Sequence, residues 1–533
     1  MDRRGFLAGL AATTAVACTS KSTDSSTTST TAKKVVAAEP AASELPPNAF
    51  ATGVASGDPL ADRVIIWTRL VADPRAVGGG IPSSPVEVAF DVAEDSGFTK
   101  LVASGIAVAS PDLGHSVHVD VTGLQPDTKY HYRFRAGTQT SPAGRTQTFP
   151  SASQSPDQLR FVFASCQDIQ WGRFPLWQHA SEEPDLNAVV FLGDYIYEMN
   201  FGDQSPEQQG ERVWANKESV TLDDYRVRYA QTNADTQLAA ARAVAPWIVT
   251  FDDHEVANNY AGDVAQDDLE QPTEAAKVRR VAAYQAWYEN TPIRITPDPT
   301  ASTDFGRLQV YRDFTYGKLA SMFTIETRQQ ADPPSCRTET GLASDTGPLC
   351  DEAKDPSRTI LGMDQEKWLA GKLERSTSEW NIIANPIMLT ELNLGTAEAP
   401  VTERDTWSGY PASRARLLDA VQDSKVTNPV VVTGDWHTSY VFDVKATPDG
   451  PTVMPEFLGG SISTIITGDE SHKEVNPQVR YWEGKHCYAV VTVTEAQLKC
   501  EFKYVDNIWD RNAPISQTDT FVVKNGEHEA QQV

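Results

Sequence analysis

Residues 188–197 read Ala-Val-Val-Phe-Leu-Gly-Asp-Tyr-Ile-Tyr. The five apolar residues at 188–192 predict a strand that is buried on both faces, as in a sheet covered by further layers. A glycine follows, and Asp194 and Tyr197 then stand where the strand has ended. An aspartate after a strand is often only a turn residue or a helix cap, so a single example is weak evidence for a functional site.

Three more predicted strands end in the same way. They run over residues 159–164, 247–251 and 430–433, and they are followed by Cys166, by Asp253 and His254, and by Asp435 and His437. Because ligands bind where the strands of α/β sheets end, we expect these side chains to lie together. Turn chemistry alone does not explain four such ends in one chain, so together they form a candidate site.

The chain divides into an all-β part and an α/β part. Residues 47–155 hold short alternating strands, and the stretch Gly123-Leu-Gln-Pro-Asp-Thr-Lys-Tyr130 is typical of the tyrosine corner in a fibronectin type III-like sandwich. Over residues 156–520, buried strands alternate with amphipathic helices such as 273–290, which predicts an α/β domain. The last residues, 521–533, are predicted to be a polar C-terminal tail.

The N-terminus has the features of an export signal. Arg3 and Arg4 precede a short apolar run, so residues 1–18 are predicted to be a twin-arginine signal peptide that engages the twin-arginine export machinery. Ala-Val-Ala before Cys18 fits an ordinary signal-peptidase site and also a loose lipoprotein box, and both interpretations stay open. Residues 19–46, rich in Ser and Thr, predict a flexible linker. We therefore expect a secreted, cell-surface or periplasmic protein, tethered to a membrane if Cys18 is lipidated.

The composition limits the class of partner. The formal net charge is −26 at pH 7 over 533 residues. Such a surface keeps an exported protein soluble and repels nucleic-acid phosphates, so we expect no nucleic-acid recognition module. The protein is separately expected to be a monomer. A small phosphate-bearing substrate would need local positive charge, and bound metal ions are the obvious source. After the N-terminus no apolar run reaches about 20 residues, so no membrane span is expected in the mature protein.

The four strand ends resemble the motifs of the calcineurin-like metallophosphoesterases, and most of all those of their alkaline phosphatase D (PhoD) branch. The superfamily pattern is an Asp, then Gly-Asp-x-x-Tyr, Gly-Asn-His-Glu/Asp and Gly-His-x-His. In this sequence Cys166 stands at the first Asp position, Asp253 replaces the Asn, and Asp435 replaces the first His of the last pair. The resemblance implies a core of two central mixed sheets flanked by helices, preceded by the fibronectin type III-like all-β domain.

The resemblance also implies a centre with two unlike half-sites that share Asp194. The first metal would be held by Cys166, Asp194, Tyr197 and His437. Thiolate, phenolate, carboxylate and imidazole together favour Fe³⁺, with Zn²⁺ as the alternative. The second metal would share Asp194 and take Asp253 and Asp435, an all-oxygen set that suits Ca²⁺ or Mg²⁺. One iron and one or two calcium ions are therefore expected, and a further superfamily histidine on the second metal has no counterpart that we can place.

The expected reaction is hydrolysis of phosphomonoesters, phosphodiesters or both by attack of a metal-bound hydroxide on phosphorus. His254 follows the proposed ligand Asp253 in the sequence. It is placed either to hydrogen-bond the phosphate or the leaving oxygen, or to orient Asp253. Asn258 and Asn259 could orient phosphate or cap a helix, and Asp168 could support a ligand or form a turn. A phospholipase D-like phosphodiesterase with the same metals is the main alternative. A tethered, non-catalytic protein that binds phosphate or metal is the other.

The remaining cysteines bear on the stability of an exported protein. Cys336 and Cys350 flank a loop rich in Pro, Gly, Ser and Thr, which they could close as a disulfide. Cys487 and Cys500 flank a predicted hairpin that turns near residue 495. In that register they do not face each other, so a bridge between them would need a different turn, and both outcomes stay open.

Overall fold

The strand predicted at residues 188–192 lies inside a large sheet of the computed structural model. Its bounds are Ala188–Phe191, and it pairs in parallel with Leu159–Gln167 on one side and Pro246–Val249 on the other. The structure describes residues 35–200, 212–265, 274–295, 305–336, 346–468 and 470–533. The predicted signal peptide, Cys18 and most of the predicted linker lie outside these residues. Within them, no helix is both long enough and apolar enough to cross a membrane.

The N-terminal part is a sandwich of two sheets. Its strands are β1 Val54–Gly57, β2 Arg63–Arg69, β3 Val86–Ala93, β4 Leu101–Ala109, β5 Ser116–Thr122, β6 Lys129–Ala136, β7 Gln139–Thr140 and β8 Gly144–Gln147. Strands β4-β3-β6-β7, with β8 beside β6, form one sheet, and β1, β2 and β5 lie in the other. The hydroxyl of Tyr130 accepts a hydrogen bond from the backbone N–H of Gln125 at 2.9 Å, the contact that defines a tyrosine corner. The predicted all-β fold of this region is thus confirmed.

The second sheet of the sandwich continues into the α/β part. The parallel partner of β1 is Pro246–Val249, with Gly57 opposite Trp247. A side chain at Gly57 would collide with the chain, because its Cβ would lie 2.0 Å from the carbonyl oxygen of Pro292. The all-β region is therefore joined to the α/β part by backbone hydrogen bonds as well as by the chain.

The α/β part holds two long sheets and a short strand pair. Its strands are β9 Leu159–Gln167, β10 Ala188–Phe191, β11 Pro246–Val249, β12 Arg312–Tyr316, β13 Ala320–Thr324, β14 Thr346–Gly347, β15 Trp380–Asn385, β16 Thr402–Glu403, β17 Pro429–Thr433, β18 Ser439–Lys445, β19 Thr452–Leu458, β20 Ser461–Ser463, β21 Val479–Glu483, β22 His486–Val493, β23 Gln497–Val505, β24 Gln517–Lys524 and β25 Gln531–Gln532. The first sheet has the order β25-β24-β23-β22-β9-β10-β11-β1-β2-β5, with β20 also paired to β9. The second has the order β12-β13-β15-β17-β19-β18-β21, and β14 pairs with β16.

The two long sheets pack face to face, and helices cover their outer faces. The helices are α1 Pro175–Glu182, α2 Leu222–Asn233, α3 Thr236–Arg242, α4 Glu274–Asn290, α5 Met363–Arg375, α6 Pro411–Ser424 and α7 His472–Val475. Side chains such as Phe163 and Val190 of the first sheet meet Ile382 of the second in one apolar core. Helices α1 to α4 pack on the other face of the first sheet, and α5 and α6 pack on the second. The predicted mixed sheets flanked by helices are confirmed.

The predicted C-terminal tail at 521–533 needs correction. Residue 521 lies inside β24, which pairs along its length with β23. The side chains of Phe521 and Val523 alternate with more exposed neighbours and are buried in the core between the sheets. Beyond that strand, the ring of His528 hydrogen-bonds the carbonyl oxygen of Val453 at 2.7 Å. This segment therefore completes the edge of the first sheet.

The cysteines outside the site fall into two classes. Cys336 and Cys350 form a disulfide, as the sequence suggested. Cys487 and Cys500 are both buried and free. They lie on neighbouring strands β22 and β23, but Cys487 faces Tyr504 and Cys500 faces Val491, so the hairpin register keeps the two thiols apart.

Candidate metal centre

Four of the six candidate ligands stand near the ends of β9, β10 and β17 in an unusual backbone conformation. The φ angles of Cys166, Asp194, Asp435 and His437 are 57°, 58°, 70° and 62°. Non-glycine residues adopt this left-handed region rarely, and where they do so the surrounding structure has to hold them. Four cases within one cluster indicate that the backbone is bent to aim these side chains at a common point.

Two glycines make these bends possible. Gly193 has a φ of 120°, and a Cβ there would lie 2.6 Å from the Cβ of Asp252. A Cβ at Gly434 would lie 2.6 Å from the side chain of Ser165. The glycine of each Gly-Asp pair thus lets neighbouring strand ends approach each other closely, in addition to letting the chain turn.

The structure brings together the four residues predicted for the first half-site. The Sγ of Cys166 lies 3.5 Å from Oδ2 of Asp194, and the hydroxyl of Tyr197 lies 3.1 Å from the same oxygen. That hydroxyl is also 3.1 Å from Nε2 of His437. Ligand atoms of Cys166, Asp194 and His437 all lie within 4.8 Å of one another. A thiol, a phenol, a carboxylate and an imidazole therefore face one small volume, which is the donor set of a transition-metal site.

The residues predicted for the second half-site also meet, and one more carboxylate joins them. Carboxylate oxygens of Asp194, Asp252, Asp253 and Asp435 lie within 4.8 Å of one another. Among the residues that the structure describes, none donates a hydrogen bond to Asp194 Oδ1, Asp252 Oδ2 or Asp253 Oδ1, although all three atoms are buried. Buried carboxylate oxygens without donors are costly unless a cation binds them, so this cluster fits an oxygen-ligated ion such as Ca²⁺ or Mg²⁺.

The electrostatics lead to the same conclusion. Burial, reinforced by the neighbouring carboxylates Asp252 and Asp253, raises the pKa of Asp435 well above its usual range. Burial is also the main cause that raises the pKa of Asp194 and of the Cys166 thiol. Several acids at this separation ionise together only if positive charge compensates them. Bound cations would provide that compensation and keep the ligands deprotonated.

His254 lies beside Asp194 and Asp253. Its Nδ1 is 2.7 Å from the carboxylate of Glu198, and its ring lies against Tyr197 with 4.2 Å between the ring centroids. Burial would lower the pKa of His254, but Asp253 and Glu198 outweigh burial and raise the pKa well above the ordinary value. Its side chain also comes within 4.8 Å of ligand atoms of Asp194 and Asp253. The ring is thus oriented by a carboxylate and placed beside both half-sites.

The three weaker candidates occupy structural positions next to the centre. The backbone N–H of Asn258 donates to Glu198 at 2.7 Å, and that of Asn259 donates to Asp253 at 2.6 Å. The helix-cap interpretation of these asparagines is wrong, since the described residues around them, 251–265, contain no helix. Asp168 accepts the backbone N–H of Gln170 at 2.9 Å, which is the contact of an Asx turn.

Sequence reasoning missed Asp252, Glu255 and Arg328, as well as Glu198, which orients His254. The Glu255 carboxylate accepts backbone N–H groups of Asp194, Tyr195 and Asp252 at 2.6–3.0 Å and so ties two strand ends together. Arg328 donates to Asp252 at 2.5 Å and contacts Asp405 at 2.8 Å, and all three side chains are nearly buried. The Asp252-Asp253 doublet could have pointed to Asp252. Nothing in the sequence around Arg328 relates it to Asp252, which lies 76 residues earlier in the chain.

Comparisons with known proteins agree with this geometry. Residues 161–502 match the family model described as PhoD-like phosphatase, and residues 34–150 match the model of the PhoD-like phosphatase N-terminal domain. Alkaline phosphatase D of Bacillus subtilis (strain 168) is 39% identical over 484 residues, which cover 89% of this chain and 80% of that protein. The solved structure titled "Structure of PhoD" matches with a TM-score of 0.86 and 38% identity, covering 92% of this chain and 93% of the other. With its site, its sheets and both family models in agreement, this chain belongs to the PhoD-like phosphatase family.

Proposed function

We propose that this chain is an exported, metal-dependent phosphoesterase that hydrolyses phosphomonoesters, phosphodiesters or both. The relative from Bacillus subtilis is named alkaline phosphatase D, and it is similar along most of both chains. The one observation that carries the proposal is the convergence of two chemically different donor sets on Asp194. Hydrolysis of a phosphate ester requires charge compensation for the phosphate and an activated water, and a pair of cations supplies both.

The proposed metals follow from the donors. Cys166, Tyr197 and His437, with one oxygen of Asp194, would hold Fe³⁺, or Zn²⁺ as the alternative. Asp253 and Asp435, with Asp194 shared, would hold one or two Ca²⁺ ions, or Mg²⁺. When bound, the metals would supply Lewis acidity toward the phosphate oxygens and lower the pKa of water enough to give a nucleophile near neutral pH.

The protein's own groups would position the substrate and manage the proton. Glu198 occupies Nδ1 of His254, which leaves Nε2 for a phosphate oxygen or the leaving oxygen. A protonated His254, favoured by Asp253 and Glu198, could then donate to the departing alcohol. Asn258 and Asn259 donate backbone N–H groups to Glu198 and Asp253, so their supported role is to hold these two carboxylates in place, and phosphate contact by their side chains is a secondary proposal.

Hydrolysis of p-nitrophenyl phosphate and bis(p-nitrophenyl) phosphate by the exported protein tests the proposal. We expect turnover of at least one ester, its loss on chelation and its recovery on adding the metals back. The variant Asp194→Asn should lose turnover, while Asp449→Asn, at an exposed turn, should keep it. A metal-replete protein that hydrolyses neither ester would refute the enzyme and favour a tethered binding protein. Turnover of the diester alone would favour a phospholipase D-like phosphodiesterase.

The proposed export route and anchoring need a separate test. We infer export by the twin-arginine machinery from Arg3 and Arg4, and membrane tethering if Cys18 is lipidated. Replacing both arginines with lysine should leave the protein in the cytoplasm. Replacing Cys18 with Ala should release an exported protein from the membrane fraction if the lipid is present. A monomer that acts on a small substrate is proposed for the exported protein.

A further inference from the structure

The candidate metal centre is not equally covered on all sides. Cys166, Asp194, Tyr197 and Asp253 are buried, whereas Asp435 and His437 are partly exposed. Trp436, between those two, is also partly exposed. A substrate would therefore approach the centre past residues 435–437.

A short segment after β20 borders this opening, and we refer to residues 464–468 as the rim segment. Its backbone is held at several points: the ring of His486 hydrogen-bonds the carbonyl oxygen of Thr464 at 2.7 Å, and the hydroxyl of Thr467 donates to the carbonyl oxygen of Trp436. The hydroxyl of Thr464 lies beside that of Tyr197, and the backbone of Ile465 lies beside the ring of His437. The rim segment is thus fixed against two of the proposed ligands.

The rim segment nevertheless presents two apolar side chains to solvent. Ile465 is 46% exposed and Ile466 is 38% exposed. Scattered single apolar residues on a surface need no explanation, but in the described part of the chain these are the only two consecutive large apolar residues that are both exposed. Neither belongs to an apolar core of the described residues, and the backbone of Ile465 lies beside His437 of the centre. Their position suits contact with a bound substrate.

We propose that Ile465 and Ile466 form an apolar shelf that binds the alcohol part of the phosphate ester. The inference rests on the proposed phosphoesterase function and names its substrate class: esters of apolar alcohols rather than of polyols or sugars. The metals and His254 would hold the phosphate, which does not differ among monoesters or among diesters, so discrimination between alcohols would come from groups beside the opening. The shelf would strengthen the binding of the substrate and of the transition state equally. Its loss would therefore raise KM and leave kcat largely unchanged.

The double variant Ile465→Asn, Ile466→Asn tests the shelf with hexyl phosphate and ethyl phosphate, whose leaving alcohols differ in apolar surface but hardly in reactivity. If the wild-type enzyme hydrolyses only diesters, hexyl methyl phosphate and ethyl methyl phosphate are used as the substrates instead. We expect kcat/KM for the hexyl ester to fall about tenfold, mainly through KM, with little change for the ethyl ester. The control is Ile106→Asn, Val108→Asn, which changes two exposed apolar side chains on β4 of the all-β region.

Three outcomes would overturn the shelf. An equal loss of kcat/KM for both esters would show that the rim segment has a structural role. Unchanged kinetic constants would show that it does not take part in substrate binding. A similar loss of hexyl preference in the control would show that general surface polarity is responsible. A wild-type enzyme that hydrolyses no phosphate ester would instead overturn the proposed function, and the shelf with it.

Discussion

Replacing Arg328 with Met should destabilise the protein strongly, because this arginine is the buried cation beside the acidic half-site. Its guanidinium lies 2.5 Å from Asp252, 2.8 Å from Asp405 and 3.7 Å from Asp253. The side chain of Arg328 is only 3% exposed, and those of Asp252 and Asp253 are 1% and 3% exposed. Methionine keeps much of the volume but leaves the carboxylates without this partner.

The magnitude follows from the geometry. At an effective dielectric constant of about 20, opposite charges at these separations attract by roughly 5 kcal/mol, and the desolvation of Arg328 offsets part of this. Removing one partner of a buried pair costs about 3–5 kcal/mol in measured cases. With an unfolding entropy of about 2.1 cal/mol/K per residue, the unit formed by residues 36–533 loses about 1 kcal/mol of stability per degree. The melting temperature should therefore fall by about 3–5 °C.

The assay is thermal unfolding of wild type and variant, each with metals and after chelation. The loss should be larger after chelation, since bound cations would otherwise compensate Asp253 and its neighbours. Arg63→Met removes an exposed pair with Asp62 and should shift the melting temperature by less than about 1 °C. If Arg328→Met melts within 1 °C of wild type in both states, the assigned role of Arg328 in charge compensation is refuted.

Three further predictions concern the centre itself. Gly193→Ala should lower kcat/KM by about 100-fold or more in a protein that keeps its far-UV circular dichroism spectrum, because the added Cβ would press on Asp252 and displace Asp194. His254→Asn should lower kcat by about 100-fold or more without changing the metal content. A variant with the same kcat as the wild type would show that His254 does not take part in the reaction. Cys166→Ser should reduce the bound transition metal while the hard cation stays, and unchanged iron content would exclude Cys166 as a ligand.

The sequence predicted those parts of the fold whose signal is local. The apolar runs at 188–192 and 430–433 became β10 and β17 because buried strands need continuous apolar residues whatever their partners. The tyrosine corner could be predicted because its turn and Tyr130 lie in one short stretch. The C-terminal strand was missed because the charged and polar residues around it outweighed the alternation of Phe521 and Val523. That alternation was the available signal.

Other features depend on distant partners and have no local signal. The pairing of β1 with β11 joins two strands that lie far apart in the sequence, and the sequence of a single strand does not specify its partner. The position of Arg328 depends on how the loop after β13 lies against the ends of the first sheet. The candidate ligands could be predicted because each lies at the end of a strand or shortly after it. Their orienting partners Glu198, Glu255 and Arg328 were left out because their contacts arise only in the folded chain.

Metal analysis of the naturally exported protein tests the central claim, which is that Asp194 is shared by two unlike half-sites. Elemental analysis would count the ions, and anomalous scattering at the iron and calcium edges would place each one. We expect a transition metal, iron before zinc, beside Cys166, Tyr197 and His437, and one or two hard cations, calcium before magnesium, beside Asp253 and Asp435. The same element in both half-sites would contradict the account.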